Sequence, residues 1–361
     1  MKLSRTVAAL CALVPAIARG DVGAPDARDA ALLSACGQGD ATLGEIAARI
    51  ARRRLGGAPA PESDEIAAEL RDAGSTLPTV RALTLTGESR GDEATARVRR
   101  WASGGSGRRR CGVGSAEDGA GHSTTVILAA KALADLAPVP SSVRVGAWVT
   151  IDAKVLGEPT GARVVILGPA GPPRSVPTSL HEGRVVARFS ADRPGRWLAQ
   201  IVAELDGGPR PVAEVVVRAG ERDPDEAAIP GVSATGATDA ATVRAMLDAA
   251  RAAEGLRALA TDPELDRLAS RHAARMAERA IVSHDAGEGD PAERLEAAGG
   301  IAQEVGENVA HAASPAGAHR MIWASPSHRA NLLSSRFDAA GVGVARGKDG
   351  SVWVAELFVA R

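Results

Sequence analysis

The apolar pattern changes period twice along this chain, so no single layer architecture can accommodate all of it. Apolar residues recur at helical spacing over 41–55 and 62–73, and short strand-like pieces then complete a first segment, 26–136. From 138 to 218 the period is two. Val143, Val145, Val149, Ile151, Ala153 and Val155 share odd positions, as do Val185, Ala187 and Phe189, and then Trp197, Ala199, Ile201, Ala203 and Leu205. Turn signals recur about every ten residues there, which predicts a small antiparallel sandwich. Arg193-Pro-Gly-Arg-Trp197 before an alternating strand resembles bacterial immunoglobulin-like spacer domains, and a spacer role is expected. Residues 219–237, rich in Pro, Gly and charge, predict a linker. Helical spacing returns over 238–361. The 361 residues thus divide into an N-terminal α+β module, an all-β middle and a C-terminal α+β domain.

Charge narrows the partners. Lys and Arg total 43 against 44 Asp and Glu, a net charge of -1, which removes the positive field that nucleic-acid binding requires. With no Tyr, three Phe and five Trp, the chain is poor in the residues that build aromatic platforms for sugars or bases. Lys2 and Arg5 precede an apolar run from Val7 to Ile17, and Ala16-Ile17-Ala18 supplies a small-x-small cleavage pattern. Residues 1–20 therefore predict a signal peptide, hence a secreted, periplasmic or envelope protein; a short amphipathic helix is the alternative. No later run approaches a membrane span. With Cys11 in the signal, Cys36 and Cys111 remain, and in an oxidising compartment they predict one disulfide; two buried thiols are the other reading. Leu33-Ser34-Ala35-Cys36 spells a lipoprotein-type acceptor, but Asp21, Asp26 and Asp29 precede it and no apolar stretch abuts it.

The last segment has clear start and stop signals. Asp262-Pro263-Glu264 opens a helix with stripe Leu265, Leu268, Ala269, His272 and Met276. Asp290-Pro291-Ala292-Glu293 opens another that Gly299-Gly300 can stop, and Ser314-Pro315 a third through Trp323. Strands are predicted over 305–310, 340–346 and 351–359, the last two flanking Gly347-Lys348-Asp349-Gly350 as a hairpin.

Four strings occur here in order: Ser283-His284, Gly306-Glu307-Asn308-Val309-Ala310, Trp323-Ala324-Ser325-Pro326-Ser327-His328-Arg329-Ala330-Asn331, and Gly341-Val342-Gly343-Val344. Together they resemble the CAP superfamily of cysteine-rich secretory proteins, antigen 5 and plant pathogenesis-related proteins, in its short bacterial SCP-like form. The resemblance covers roughly the last 125 residues. It implies an α-β-α sandwich with a surface cavity whose polar floor holds two histidines and acidic residues, here His284, His328 and Glu307. A second acid of the larger members falls within Trp323-Ala324-Ser325-Pro326 and is missing.

His284, Glu307 and His328 form a possible zinc set, because two imidazoles and a carboxylate with an open position are a known catalytic arrangement. A hydrogen-bonded structural triad would use the same residues. No His-Glu-x-x-His string decides between them. Ser283, Ser325 and Ser327 invite a serine-hydrolase reading, but no Gly-x-Ser-x-Gly accompanies them, and Ser325-Pro326 reads equally as a helix start. Asn308 is expected beside the cavity with Arg329, which pairs either with Glu307 or with solvent. His272 is expected in the core, His311 and His319 at the surface.

Within the first segment, Gly87-Glu88-Ser89, Trp101-Ala102-Ser103, Cys111-Gly112-Val113-Gly114 and Val126-Ile127-Leu128 repeat the order of the C-terminal strings without the histidines. Either this is a degenerate CAP-like module or a coincidence of an Ala/Gly-rich chain. Arg52–Arg54 and Arg108–Arg110 read as solvated faces or as weak anionic-polymer contacts. Three functions remain: binding of a small-molecule, lipid-like or cell-envelope ligand without turnover; a zinc-assisted hydrolase of peptide or envelope substrates; and a scaffold.

Overall fold

In the computed structural model, residues 27–87, 91–103, 107–220 and 228–361 are described. The expected signal peptide at 1–20 and Cys11 lie outside them, as do Glu88 and Ser89. The chain is mixed α and β, with sheets of four, four, five and four strands among the described residues.

The N-terminal module consists of α1 (Ala27–Cys36), β1 (Gln38–Gly39), α2 (Ala41–Leu55), α3 (Ser63–Asp72), β2 (Arg81–Thr86), α4 (Asp92–Ala102), β3 (Arg108–Glu117) and β4 (Ser123–Ala132). Its sheet runs β1-β3-β4-β2. Leu43, Ile46, Ile50, Ile66 and Leu70 of α2 and α3 cover one face, and Leu32, Ala94 and Val98 of α1 and α4 the other. The Asp40 side chain caps α2 by accepting from the Leu43 amide at 3.0 Å. Cys36 and Cys111 form a disulfide, with Cα atoms 6.1 Å apart, that ties the end of α1 to β3. Closing 75 positions of sequence stabilises the module by about 4 kcal/mol in the loop-entropy description.

The middle contains β5 (Ala134–Leu136), β6 (Ser142–Val143), β7 (Ala147–Val155), β8 (Gly161–Leu167), β9 (Arg174–Val176), β10 (Thr178–His181), β11 (Arg184–Ala191), β12 (Gly195–Leu205) and β13 (Gly208–Ala219). Sheets β10-β11-β7-β5 and β6-β13-β12-β8-β9 share one core, including Ile151, Val164, Phe189, Trp197 and Val217. The odd residues point inward, with one departure. Val145 lies in the turn before β7 and is exposed. Strand β12 also buries Leu198, Gln200 and Val202 on its even side, which abuts the C-terminal domain.

The C-terminal domain consists of α5 (Asp239–Ala253), β14 (Ala260–Thr261), α6 (Pro263–Arg279), α7 (Pro291–Ala297), β15 (Glu304–Ala312), α8 (Pro315–Ala324), α9 (Pro326–Leu332), β16 (Ala339–Arg346) and β17 (Val352–Ala360). Sheet β14-β16-β17-β15 lies between two helical layers, α6 and α7 on one face, α5, α8 and α9 on the other. Asp262 caps α6 with Pro263 in its first turn, and Asp290 and Glu293 form a capping box on α7. The described end of the connector is docked on the C-terminal domain. Ile229 packs on the α5–α8 core and the Pro230 carbonyl lies 2.8 Å from His319 Nε2, so the second half of the expected linker is docked.

This sheet and the N-terminal one have the same strand order and matching registers. A Cβ on Gly112 would stand 2.1 Å from the backbone of Leu43 in α2, and one on Gly341 2.1 Å from Leu265 in α6. Each glycine pair lets a helix lie directly on its hairpin. Gly112 pairs with Leu128 and Gly341 with Leu357; Leu128 and Leu357 in turn pair with Ala82 and Glu307. The register thus corrects the match of Gly87-Glu88 to Gly306-Glu307, because the position of Glu307 belongs to Ala82.

The three parts are tied together by buried polar contacts. Arg71 Nη1 lies 3.3 Å from Glu214 Oε2, Gln200 Nε2 donates to Glu214 Oε1 at 2.6 Å and to Ser325 Oγ at 3.1 Å, and the Ser327 amide donates to Gln200 Oε1 at 2.9 Å. Arg320 of α8 pairs with Asp64 of α3 at 2.7 Å.

Candidate functional site

Successive residues of a strand face opposite ways, so Glu307 and Asn308 of β15 enter different layers. Glu307 faces α6 and α7, and Asn308 faces α8 and α9. Helix α6 ends at Ala280 in a left-handed conformation (φ 52°), and the chain turns back toward the sheet. Asp285 holds that turn by accepting from the Gly287, Glu288 and Gly289 amides at 2.6, 3.1 and 3.1 Å. Those amide bonds keep its carboxyl below the usual carboxylate range.

The turn brings His284 Nδ1 to 2.8 Å from Glu307 Oε2. Arg294 of α7 donates to Glu307 Oε1, to the His284 carbonyl at 2.6 Å and to the Gly289 carbonyl at 2.7 Å. His272 closes the group from below: Nδ1 lies 2.7 Å from Glu288 Oε1, Nε2 2.9 Å from the Ser283 carbonyl and 3.7 Å from Glu307 Oε2. It is a fully buried histidine with both ring nitrogens occupied.

On the opposite face, Asn308 Nδ2 donates to Glu356 Oε2 at 2.9 Å and to the His328 carbonyl at 3.1 Å, while Asn331 donates to Asn308 Oδ1 at 3.1 Å. Glu356 is fully buried, its Oε1 has no partner among the described residues, and burial pushes its pKa up to about 7. The half-buried His328 ring is near enough to His284 and Arg163 to feel both; desolvation first, then the charge interactions with His284 and Arg163, lower its pKa to about 3. At neutral pH it is an uncharged imidazole.

Part of the central sandwich roofs the first cluster. Ser283 Oγ donates to the Gly207 carbonyl at 3.0 Å, and a Cβ on Gly208 would approach His284 Cβ to 3.0 Å. The hairpin between β12 and β13, with positive φ at both glycines, therefore lies against the Ser283-His284 turn.

His284 and Glu307 are brought into contact, with His328 near His284. Arg329 is not with them. Its guanidinium stacks 3.8 Å from the centroid of Trp323 and its Nε donates to the Trp323 carbonyl at 2.7 Å, so neither expected environment, Glu307 or solvent, is correct. Desolvation there lowers its pKa to about 10. His311 stacks on Trp353 at 4.1 Å and His319 is buried, correcting their expected exposure. The Ser325 and Ser327 hydroxyls contact each other, and Ser325 also Gln200; no described serine hydroxyl bonds His284 or His328, which removes the serine relay.

The donor set does not suit zinc either. Both Glu307 oxygens are engaged, one by a guanidinium that would set a second cation beside any metal, and among the described residues no group of three or more His, Cys, Asp or Glu has metal-holding geometry.

Sequence reasoning missed Arg294 and Glu356. Arg294 is four positions beyond the Asp290 cap, so it lies on the same side as the start of α7, but an arginine on a short helix reads as solvated. Glu356 is the one charged residue within the apolar run 352–359, and that was its signal.

Residues 244–358 match the cysteine-rich secretory protein family, CAP. Among solved structures, the chain is similar to an outer surface protein from Borrelia burgdorferi, at 20% identity and TM-score 0.33, over 34% of this chain and 92% of that one. It is also similar to an extracellular protein containing a SCP domain from Bacillus anthracis str. Ames, at 17% identity and TM-score 0.32, over 62% and 89% of the two chains. A search of curated proteins returned no match.

Proposed function

Residues 244–358 are a CAP domain, and from that premise we propose that the chain is an exported envelope or extracellular protein that binds a small, uncharged, lipid-like ligand beside His284 without turning it over. The observation that carries this reading is the saturation of Glu307, whose oxygens are held by Arg294 and His284. A carboxylate that bridges a guanidinium and an imidazole orients the ring, and with its charge compensated it is a weak general base. His328, near His284, is neutral at physiological pH and adds hydrogen-bonding capacity without charge. Ile281 and Val282, at 39% and 48% exposure, lead directly into Ser283-His284 and supply apolar surface next to the polar group.

Export rests on residues 1–20. No helix among the described residues is long and apolar enough to cross a membrane. The central sandwich is an immunoglobulin-like spacer in this reading, and the N-terminal module a CAP-like scaffold without the polar cluster; matched strand order and register support the latter.

Titration of the full chain with a monoacylglycerol, followed by calorimetry, tests the proposal. Saturable binding that weakens about tenfold in His284→Ala and in Val282→Ser supports it. Absence of binding, or binding indifferent to both changes, overturns the site. Hydrolysis of the probe would replace binding with catalysis, and one chelator-removable zinc per chain would restore the metal reading.

A further inference from the structure

The N-terminal sheet carries a cluster of cations that the ligand site does not use. In the β3–β4 register Arg109 stands directly opposite Lys131, and Arg81 of β2 stands opposite Ala129, the next position of β4 on the same face. Like charges directly opposed across strands destabilise a sheet. Neighbouring Arg108 has Asp135 as partner, whereas Arg81, Arg109 and Lys131 show no carboxylate partner among the described residues. Arg81 instead lies 5.2 Å from the Trp101 ring centroid, and Arg109 donates to the Cys36 carbonyl at 3.3 Å.

A fourth cation arrives from the central sandwich. Arg210 of β13 comes close enough to act on Lys131, its Nη2 donates to the Asp206 carbonyl at 2.6 Å, and its Nε is buried without a partner among the described residues. Asp206 is the acid that acts on Arg210, and no acid acts on Lys131. Arg81 is exposed, while Arg109, Lys131 and Arg210 are half-buried, so solvent reaches the group past Arg81.

We propose that Arg81, Arg109, Lys131 and Arg210 form a binding site for a polyanion of the oligophosphate class, at the junction of the N-terminal module and the sandwich. Planar guanidinium forks take two phosphate oxygens each, and Lys131 adds a point charge between them. Burial, then Arg109, Arg81 and Arg210, push the Lys131 ammonium below its ordinary pKa, the response of a cation held among cations. An arriving anion relieves this repulsion and stabilises the fold that binds it. Arg210 adjoins the hairpin that roofs Ser283-His284, whereas Arg81, Arg109 and Lys131 belong to the N-terminal sheet, and the site does not depend on the ligand proposed beside His284.

Calorimetric titration of the full chain with inorganic tripolyphosphate, against sulfate and citrate at equal ionic strength, tests the site. Tripolyphosphate should bind at least about tenfold more tightly than sulfate, and Arg109→Ala and Lys131→Ala should each weaken it about tenfold or more. Without ligand, Lys131→Ala should raise the melting temperature, an effect opposite to loss of a structural contact, and Lys131→Arg should retain binding. Equal affinity for tripolyphosphate and sulfate, or undiminished binding by Arg109→Ala, overturns the site. Citrate binding as tightly as tripolyphosphate overturns the phosphate assignment.

Discussion

The two α-β-α modules of this chain share a backbone plan but differ in what fills it. In the C-terminal domain the positions facing the helices hold Glu307, Asn308, His272 and Glu356; in the N-terminal module Ala82, Leu83, Ile50 and Ile127 occupy the equivalent places. Leu83 and Ile127 pack with the core under α1 and α4, and Ile50 with that under α2. The same strand order therefore stands with either a polar or an apolar set at these places. Helix α9, which brings His328, has no counterpart among the described residues of the first module. What the first module has instead is the Cys36–Cys111 bond.

This contrast can be tested by unequal damage. Arg294→Ala leaves the buried Glu307 without its cation and should cost the C-terminal domain about 3–5 kcal/mol by denaturant melting, whereas Ala82→Ser at the position equivalent to Glu307 should stay within about 0.5 kcal/mol. Equal effects would remove the claim that only one module depends on charge. Cys36→Ser should cost the N-terminal module about 4 kcal/mol and leave the C-terminal transition in place. A single shared transition that shifts as a whole would show that the modules unfold together.

Glu356→Gln should stabilise by on the order of 3 kcal/mol above pH 7. Its folded pKa is about 7 against an ordinary 4.5, so the folded state holds the extra proton between those values and loses stability as pH rises through them. The gain should therefore vanish below about pH 4.5. Ile127→Glu, which places a carboxylate at the matching site without an Asn308, should destabilise instead. Gly112→Ala and Gly341→Ala should each cost about 1–3 kcal/mol, since both Cβ atoms would meet helix backbone at 2.1 Å. A clear inequality between them would break the structural equivalence. The last test uses acid: the pKa of His328 is near 3 in the fold and about 6.5 unfolded, so the unfolded chain binds more protons between these values. Stability should fall on acidification from pH 6.5 toward 3, and less steeply in His328→Gln, when melting is followed across pH.

Much of the scaffold was legible because its signals are local. Asp262-Pro263, Asp290-Pro291 and Ser314-Pro315 start helices where capping chemistry puts them, and the 347–350 turn joins the strands it was expected to join. The Glu307 side of the site was legible only as a list, since His284 and Glu307 meet through a turn held by Asp285. Long-range pairing hid the rest. Gln200 looked like a solvent-facing residue of an alternating strand, yet it is buried because α9 lies on that side. Arg329 stacks on Trp323 instead of pairing with Glu307, and cation–π stacking between residues of two successive helices leaves no periodic trace. The slip that matched Glu88 with Glu307 came from comparing strings; hydrogen-bond register, not letter order, sets strand equivalence.

Arg71, Glu214, Gln200 and Ser325 form a line of bonded side chains crossing both module boundaries. Under tension, such a line shares load between the modules, with Arg320 and Asp64 as a second point of attachment. A chain anchored at one end and pulled from the other would then resist extension as a single rigid body before any module yields. For a protein exposed to flow or to a moving cell surface, that stiffness would keep the His284 turn seated under its glycine hairpin while the molecule is stretched.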